Sequence, residues 1–268
     1  MLVTEIERPE IAYWERDFTE KFKDKISPLV KRWFRSEVRD IALMPPGPTL
    51  VVSNHSGGMF TPDPVIFGTA FYDHFGYERP LYVLAHNTVL TGPLESPMLR
   101  MGVVHACREN AAAALDSGAV VLVFPGGDYD SYRPSSADSV IDFNGRTGYI
   151  TTALQAGVPI VPTVSIGAQQ SQLFLTRGTG LATKLGLDKR FRLKILPVSI
   201  GFPFGISMIL PPNLPLPSKI TTQVLEPIDI IATFGAHPDI NEVDSHVRSV
   251  MQTALDSLAA ERRFPIIG

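Results

Sequence analysis

Short apolar runs recur along this chain and alternate with amphipathic stretches. The runs are TLVVS (49–53), LYVLAH (81–86), AVVLVF (119–124), PIVPTVS (159–165) and parts of 191–199 and 220–226. They are brief, rich in β-branched residues and almost free of polar alternation, which predicts strands buried on both faces. Helical segments are expected near 64–75, 110–117 and 146–156. A final amphipathic helix is expected over 241–261, with Val247, Val250, Met251, Ala254 and Leu258 on one side. Strands that alternate with helices predict an α/β fold, a mainly parallel sheet flanked by helices.

Residues 10–37 have a different pattern. Trp14, Phe18, Phe22 and Ile26 recur every fourth position among charges, giving one apolar stripe on a helix that Pro28 should break or kink. Such a helix either packs on the core, the reading favoured here, or lies on a membrane surface. The expected organisation is a helical N-terminal extension over 1–40 and one α/β domain over 41–268, with no repeat or linker.

Composition narrows the function classes. The formal net charge of −3 argues against a nucleic-acid binder, which carries a basic excess. Cys107 is the single cysteine, so no intrachain disulfide can form. The charged start is unlike a secretory signal, and no long apolar run free of helix breakers suggests a spanning helix. The chain therefore reads as cytoplasmic and not integral to a membrane, with peripheral association with one expected. The six histidines show no metal-ligand spacing, so neither a metal nor a resident cofactor is expected.

The chemistry concentrates where strands end. SNHSGGMFTPD (53–63) puts Asn54 and His55 after the first strand, followed by Gly57, Gly58 and Asp63. The histidine suits a turn, a metal site or a general base. Asp63 precedes Pro64, a good N-cap arrangement, yet a carboxylate has a second oxygen that can orient an imidazole. Further along lie GVVHACREN, where Gly102 precedes Arg108 by six positions, VFPGGD (123–128), and GVPIVPT (157–163) preceded by FNGRTG with Arg146.

In this order and spacing, the four landmarks resemble the glycerolipid acyltransferase superfamily, over about residues 40 to 230. The resemblance implies transfer of a fatty acyl group from acyl-CoA, or an acyl-carrier protein, to a hydroxyl of a glycerolipid or other lipid-like alcohol. His55 would be the general base and Asp63 its orienter, with no serine nucleophile. Gly57 and Gly58 would admit the thioester, Arg108 and Arg146 would contact anionic groups, and Phe124, Pro125, Gly126 and Gly127 would line the acceptor pocket. Asn54 is grouped with them as a turn former. Arg108 and Arg146 also have plain readings as solvated residues before helices, and Asn110 is the expected cap of the helix after Arg108.

Two positions depart from the family pattern. The family's aspartate, five residues after the histidine, is Phe60 here, and the glutamate of its FPEG motif is Gly126. The FPGG form resembles the branch that makes diacylglycerol and phytyl esters, which points away from a phosphate-bearing acceptor. Asp128 or Asp130 is available to replace the glutamate. The alternatives are an esterase or thioesterase using the same groove, and a non-catalytic lipid-binding protein of the same fold.

One stretch remains. ILPVSIGFPFGISMILPPNLPLPS (195–218) has 24 residues without a charge, and six prolines and two glycines exclude a regular spanning helix. It follows KLGLDKRFRLK (184–194), where Lys184, Lys189, Arg190, Arg192 and Lys194 face the single Asp188. The stretch is either buried strands or an apolar loop that dips into an anionic membrane beside those basic residues, and the basic neighbour favours the second reading, peripheral attachment through this region.

Overall fold

The computed structural model describes residues 9–57, 61–87, 89–135, 139–186, 196–208, 213–262 and 264. Strands β1 (Glu37–Arg39), β2 (Thr49–Ser53), β3 (Leu81–Ala85), β4 (Val103–His105), β5 (Val120–Val123), β6 (Ile160–Ile166) and β10 (Thr221–Val224) form one sheet in the order β1-β10-β6-β2-β5-β3-β4. The five strands from β6 to β4 are mutually parallel, while β10 joins β6 antiparallel and carries β1 on its outer edge. Strands β7 (Leu173–Thr176), β8 (Val198–Gly201) and β9 (Gly205–Ser207) form a separate antiparallel sheet.

Burial on both faces explains why the central strands are apolar runs. All of β2 is buried. Leu50 and Val52 enter the core on one face and Val51 the core on the other. The first core is covered by α4 (Arg108–Asp116), α6 (Gly148–Ala156) and the last helix (Ile240–Glu261), through residues such as Leu115, Ile150, Val247 and Met251. The second is covered by α2 (Asp63–Phe75), through Phe67, Phe71 and Tyr72. At about 1.5–3 kcal/mol per large buried apolar side chain, these layers dominate the favourable side of folding.

Helix α1 (Arg16–Phe34) lies against α2. Asp73 of α2 holds Lys23 and Lys31 of α1 at 2.7 and 2.8 Å. Pro28 sits inside α1 without breaking it. The carbonyl that its missing N–H leaves unpaired belongs to Asp24, and both residues are exposed, so water can take that bond. β1 ends the stretch expected as an N-terminal extension and belongs to the main sheet. The remaining short helices among the described residues are α3 (Glu95–Arg100), α5 (Gly127–Ser131), α7 (Thr179–Lys184) and α8 (Ile230–Phe234). Among the described residues, no helix is long and apolar enough to cross a membrane. Residues 187–195, with most of the basic cluster, lie outside the described residues, as does Gly58.

Candidate active site

Neighbouring parallel strands β2 and β5 send their chains to opposite faces, β2 into α2 and β5 towards α6. A crevice opens at the carboxyl ends of such a pair. His55 follows β2 and Phe124 follows β5, and their rings stack there, 4.0 Å apart and 3° from parallel. The strand on the other side of β2 is β6, which delivers Ser165. Asn54 closes the gap left where β2 ends: its amide donates to the Ser165 carbonyl at 2.8 Å and accepts the Ser165 N–H at 2.9 Å. It continues the sheet with a side chain in place of backbone, which makes its role structural.

Asp63 is 3% exposed, and its Oδ2 lies 3.5 Å from His55 Nδ1. That is an ion-pair distance but not a hydrogen bond, and the buried Nδ1 has no other partner. The carboxylate is fixed from other directions. Oδ2 accepts the Ser56 N–H at 3.0 Å, and Oδ1 accepts the hydroxyls of Ser56 (2.5 Å) and Ser165 (3.0 Å). The expected N-cap role is therefore corrected. Asp63 is the first residue inside α2, Pro62 holds the cap position, and no side chain caps there. Proximity decides this, because the Ser56 N–H and hydroxyl satisfy oxygens that would otherwise turn back to the helix.

Main-chain placement of His55 comes from a second carboxylate. Asp130 is 1% exposed, and its Oδ2 accepts the His55 N–H at 2.6 Å. Its Oδ1 pairs with the buried Arg133 guanidinium. Gly126 faces Asp130 directly: a Cβ at 126 would sit 2.4 Å from the Asp130 Cβ and 3.0 Å from its Cγ. A side chain at position 126 is excluded because Asp130, one turn later, fills its space. Asp128 instead reaches outward to Arg146 at 2.9 Å.

Gly57 is glycine for two reasons. Its φ is +109°, and a Cβ would lie 2.1 Å from Gln169 Cγ. Gln169 comes from the 3₁₀ turn Ala168–Ser171 after β6, is 2% exposed, and has neither amide atom hydrogen-bonded. An uncompensated buried amide costs about 1–3 kcal/mol. Sequence reasoning missed it, along with Ser56 and Ser165.

The two arginines have different surroundings. Arg146 donates to the Gly126 carbonyl at 2.8 Å and the Pro125 carbonyl at 3.3 Å, so it braces the FPGG turn and pairs with Asp128. Arg108 is exposed at the start of α4, after edge strand β4. Three strand spacings separate it from β2, roughly 14 Å at about 4.8 Å per strand. An anion held by Arg108 would lie at the sheet edge and not at the imidazole. Asn110 does not cap α4: Cys107 does, its Sγ accepting the Asn110 N–H at 3.4 Å. The Asn110 amide is drawn to Glu10 and the His105 carbonyl. Cys107 itself is exposed.

Fold and crevice thus define an α/β protein with a histidine–carboxylate pair at the switch point of a parallel sheet. A family described as Acyltransferase matches residues 35–166. The solved 1-acyl-sn-glycerophosphate acyltransferase PlsC of Thermotoga maritima superposes with a TM-score of 0.52 at 17% identity, covering 90% of this chain and 84% of that one. An uncharacterized protein of Mycobacterium tuberculosis is 33% identical over 87% of this chain and 64% of its own length. The "DGAT1/2-independent enzyme synthesizing storage lipids" of Bos taurus is 27% identical over 72% of this chain and 56% of its own. The chain thus spans less than two thirds of these curated relatives. It belongs to the glycerolipid acyltransferase superfamily.

Proposed function

We propose that the protein is an O-acyltransferase that moves a fatty acyl group from acyl-CoA or acyl-carrier protein to the hydroxyl of a lipid-like alcohol. The observation that carries this reading is His55 Nδ1 facing a fixed Asp63 carboxylate at 3.5 Å, with no competing partner. Asp63 holds the tautomer in which Nδ1 bears the proton and Nε2 is the free base. Nε2 takes the acceptor's proton as its oxygen attacks the thioester carbonyl. The tetrahedral intermediate then collapses, the C–S bond breaks, and the imidazolium returns the proton to the thiolate. Asp63 and the face of Phe124 both stabilise the transient imidazolium. The unpaired Gln169 amide beside Gly57 is the donor assigned to the developing oxyanion.

The acceptor is a neutral alcohol in this reading. Asp130 restores a carboxylate next to Gly126, but Arg133 and the His55 N–H engage it, so it presents no free charge to the acceptor. The enzyme works at a membrane surface, where the lipid-like acceptor partitions.

Purified protein incubated with labelled acyl-CoA or acyl-carrier protein tests this against glycerol phosphate, lysophospholipid, monoacylglycerol and fatty alcohol. Ester formed on the neutral alcohols supports it. Efficient acylation of glycerol phosphate alone overturns the acceptor class. Hydrolysis that added alcohols cannot divert into ester overturns transfer in favour of a thioesterase.

A further inference from the structure

The small sheet β7-β8-β9 is built inside out. Leu173, Ile200 and Ile206 are direct cross-strand partners, and all three are exposed, at 49%, 39% and 72%. The adjacent row, Phe174, Ser199 and Ser207, points inward and is buried. A sheet with one solvated face ordinarily turns its apolar row to the core and its polar row to water. Here the inward serines are satisfied by a buried polar network. Gln172 donates to the Ser199 hydroxyl at 3.2 Å, and Asn213, fully buried, donates to the Ser207 hydroxyl at 2.8 Å and the Gly205 carbonyl at 2.9 Å. The inverted polarity is thus held by hydrogen bonds and is not a packing accident.

The apolar surface extends beyond the sheet. Phe202 and Phe204, at the β8–β9 turn, are 65% and 53% exposed. Phe202 bridges to Leu214, and the neighbouring Pro215 carbonyl accepts the indole N–H of Trp33 at 3.1 Å. Trp33 and Leu29, one turn apart on α1, continue the exposed apolar band. Lys25 and Arg32, both exposed, are their neighbours on that helix face. The segments 168–176, 196–208 and 213–218 contain no ionisable residue. A continuous apolar face with a tryptophan and cations at one margin matches the interface of an anionic bilayer, with hydrocarbon beyond and phosphate at the rim.

The face also adjoins the crevice. Phe174, on the inner row, packs edge-on against Tyr132 at 5.8 Å, and its N–H is bonded to the Ser135 hydroxyl. Arg177, just after β7, donates to the Tyr129 carbonyl at 3.0 Å. Tyr129 lies in α5, which starts in the FPGG turn, while Gln169 precedes β7 and touches Gly57.

We infer that the outward face of β7-β8-β9, with Phe202, Phe204, Leu214 and Trp33, docks on a lipid surface, so that substrates pass from bilayer to crevice without crossing water. This rests on the acyltransferase reading for its purpose, not for its geometry.

Sedimentation with vesicles of phosphatidylcholine and phosphatidylglycerol tests it without turnover. The wild type should sediment with the vesicles, and Ile200→Ser with Ile206→Ser should weaken partitioning about tenfold or more, since each change removes a large side chain from hydrocarbon. A separate Ile206→Trp protein, excited against the Trp14→Phe, Trp33→Phe background, should shift its emission to the blue on vesicle addition. All variants should keep wild-type acylation of a water-soluble short-chain alcohol. Unchanged binding by the double variant, an unshifted emission from the introduced tryptophan, or a wild-type dimer that the double variant dissociates would overturn the lipid face; the last result would assign it to a second copy. Vesicle binding without acyl transfer would count against the enzymatic reading alone.

Discussion

Gly126 and Asp130 share one space: the carboxylate side chain of Asp130 stands where any side chain at 126 would begin, 2.4 Å from its Cβ. The absence of glutamate from this chain's FPGG is therefore tied to an aspartate one helical turn later, and that aspartate holds the His55 main chain.

The pair predicts a strong non-additivity. Gly126→Ala should destabilise by about 1–3 kcal/mol through overpacking. In a background of Asp130→Gly with Arg133→Met, which removes the obstacle and the cation it would orphan, the same change should cost a few tenths of that. Urea denaturation of the four proteins in a double-mutant cycle measures the coupling. Equal costs in both backgrounds would separate the two positions.

Asp63 touches His55 from the side opposite to catalysis and does not cap α2. Asp63→Asn should then lower kcat by about 10²-fold or more while leaving KM nearly unchanged. Its melting temperature should fall, because the amide nitrogen that replaces Oδ2 cannot accept the Ser56 N–H. Steady-state kinetics with retained rate and lost stability would reduce Asp63 to a structural residue.

Gln169 offers the reverse trade. Gln169→Leu keeps the bulk against Gly57 but removes two unsatisfied polar atoms, so stability should hold or rise. If the amide binds the oxyanion, turnover should fall about 10²-fold. Paired thermal melts and turnover assays check both halves, and an active, stabilised variant would remove Gln169 from the mechanism.

Acid should loosen α1 from α2. Burial pushes the Asp73 carboxyl up, but hydrogen bonds and ion pairs from Lys23 and Lys31 outweigh it and hold it below its usual value. A depressed carboxylate contributes stability above its unfolded-state value, about pH 4, and loses it as pH falls through the folded one. The melting-temperature gap between wild type and Asp73→Asn should be widest near neutrality and close below about pH 4. A gap independent of pH would mean the ion pairs add nothing.

The parts legible in the sequence are those where burial acts on both faces of a strand. TLVVS coincides with β2, and the strand ends at His55 and Phe124 follow from it. β1 and β4, three residues each at the sheet's two edges, carry too little periodicity to show. Beyond residue 199 the uncharged stretch has no legible strand pattern, because its apolar row faces outward and its serines inward, against the rule by which strands are read. Asp63 read as a cap because Asp-Pro is a good local signal, and the competing hydroxyl on Ser165 is distant in sequence. Gln169 had no local signature at all, since its meaning depends on Gly57 across the crevice.

In the proposed mechanism His55 removes the acceptor's proton. The most direct measurement is acyl transfer from labelled acyl-CoA to a neutral lipid alcohol by His55→Gln, whose fold is verified by its melting curve. The expected rate is lower by about 10²–10⁴-fold, with donor and acceptor still bound. A folded His55→Gln protein that transfers acyl groups at nearly the wild-type rate would contradict it.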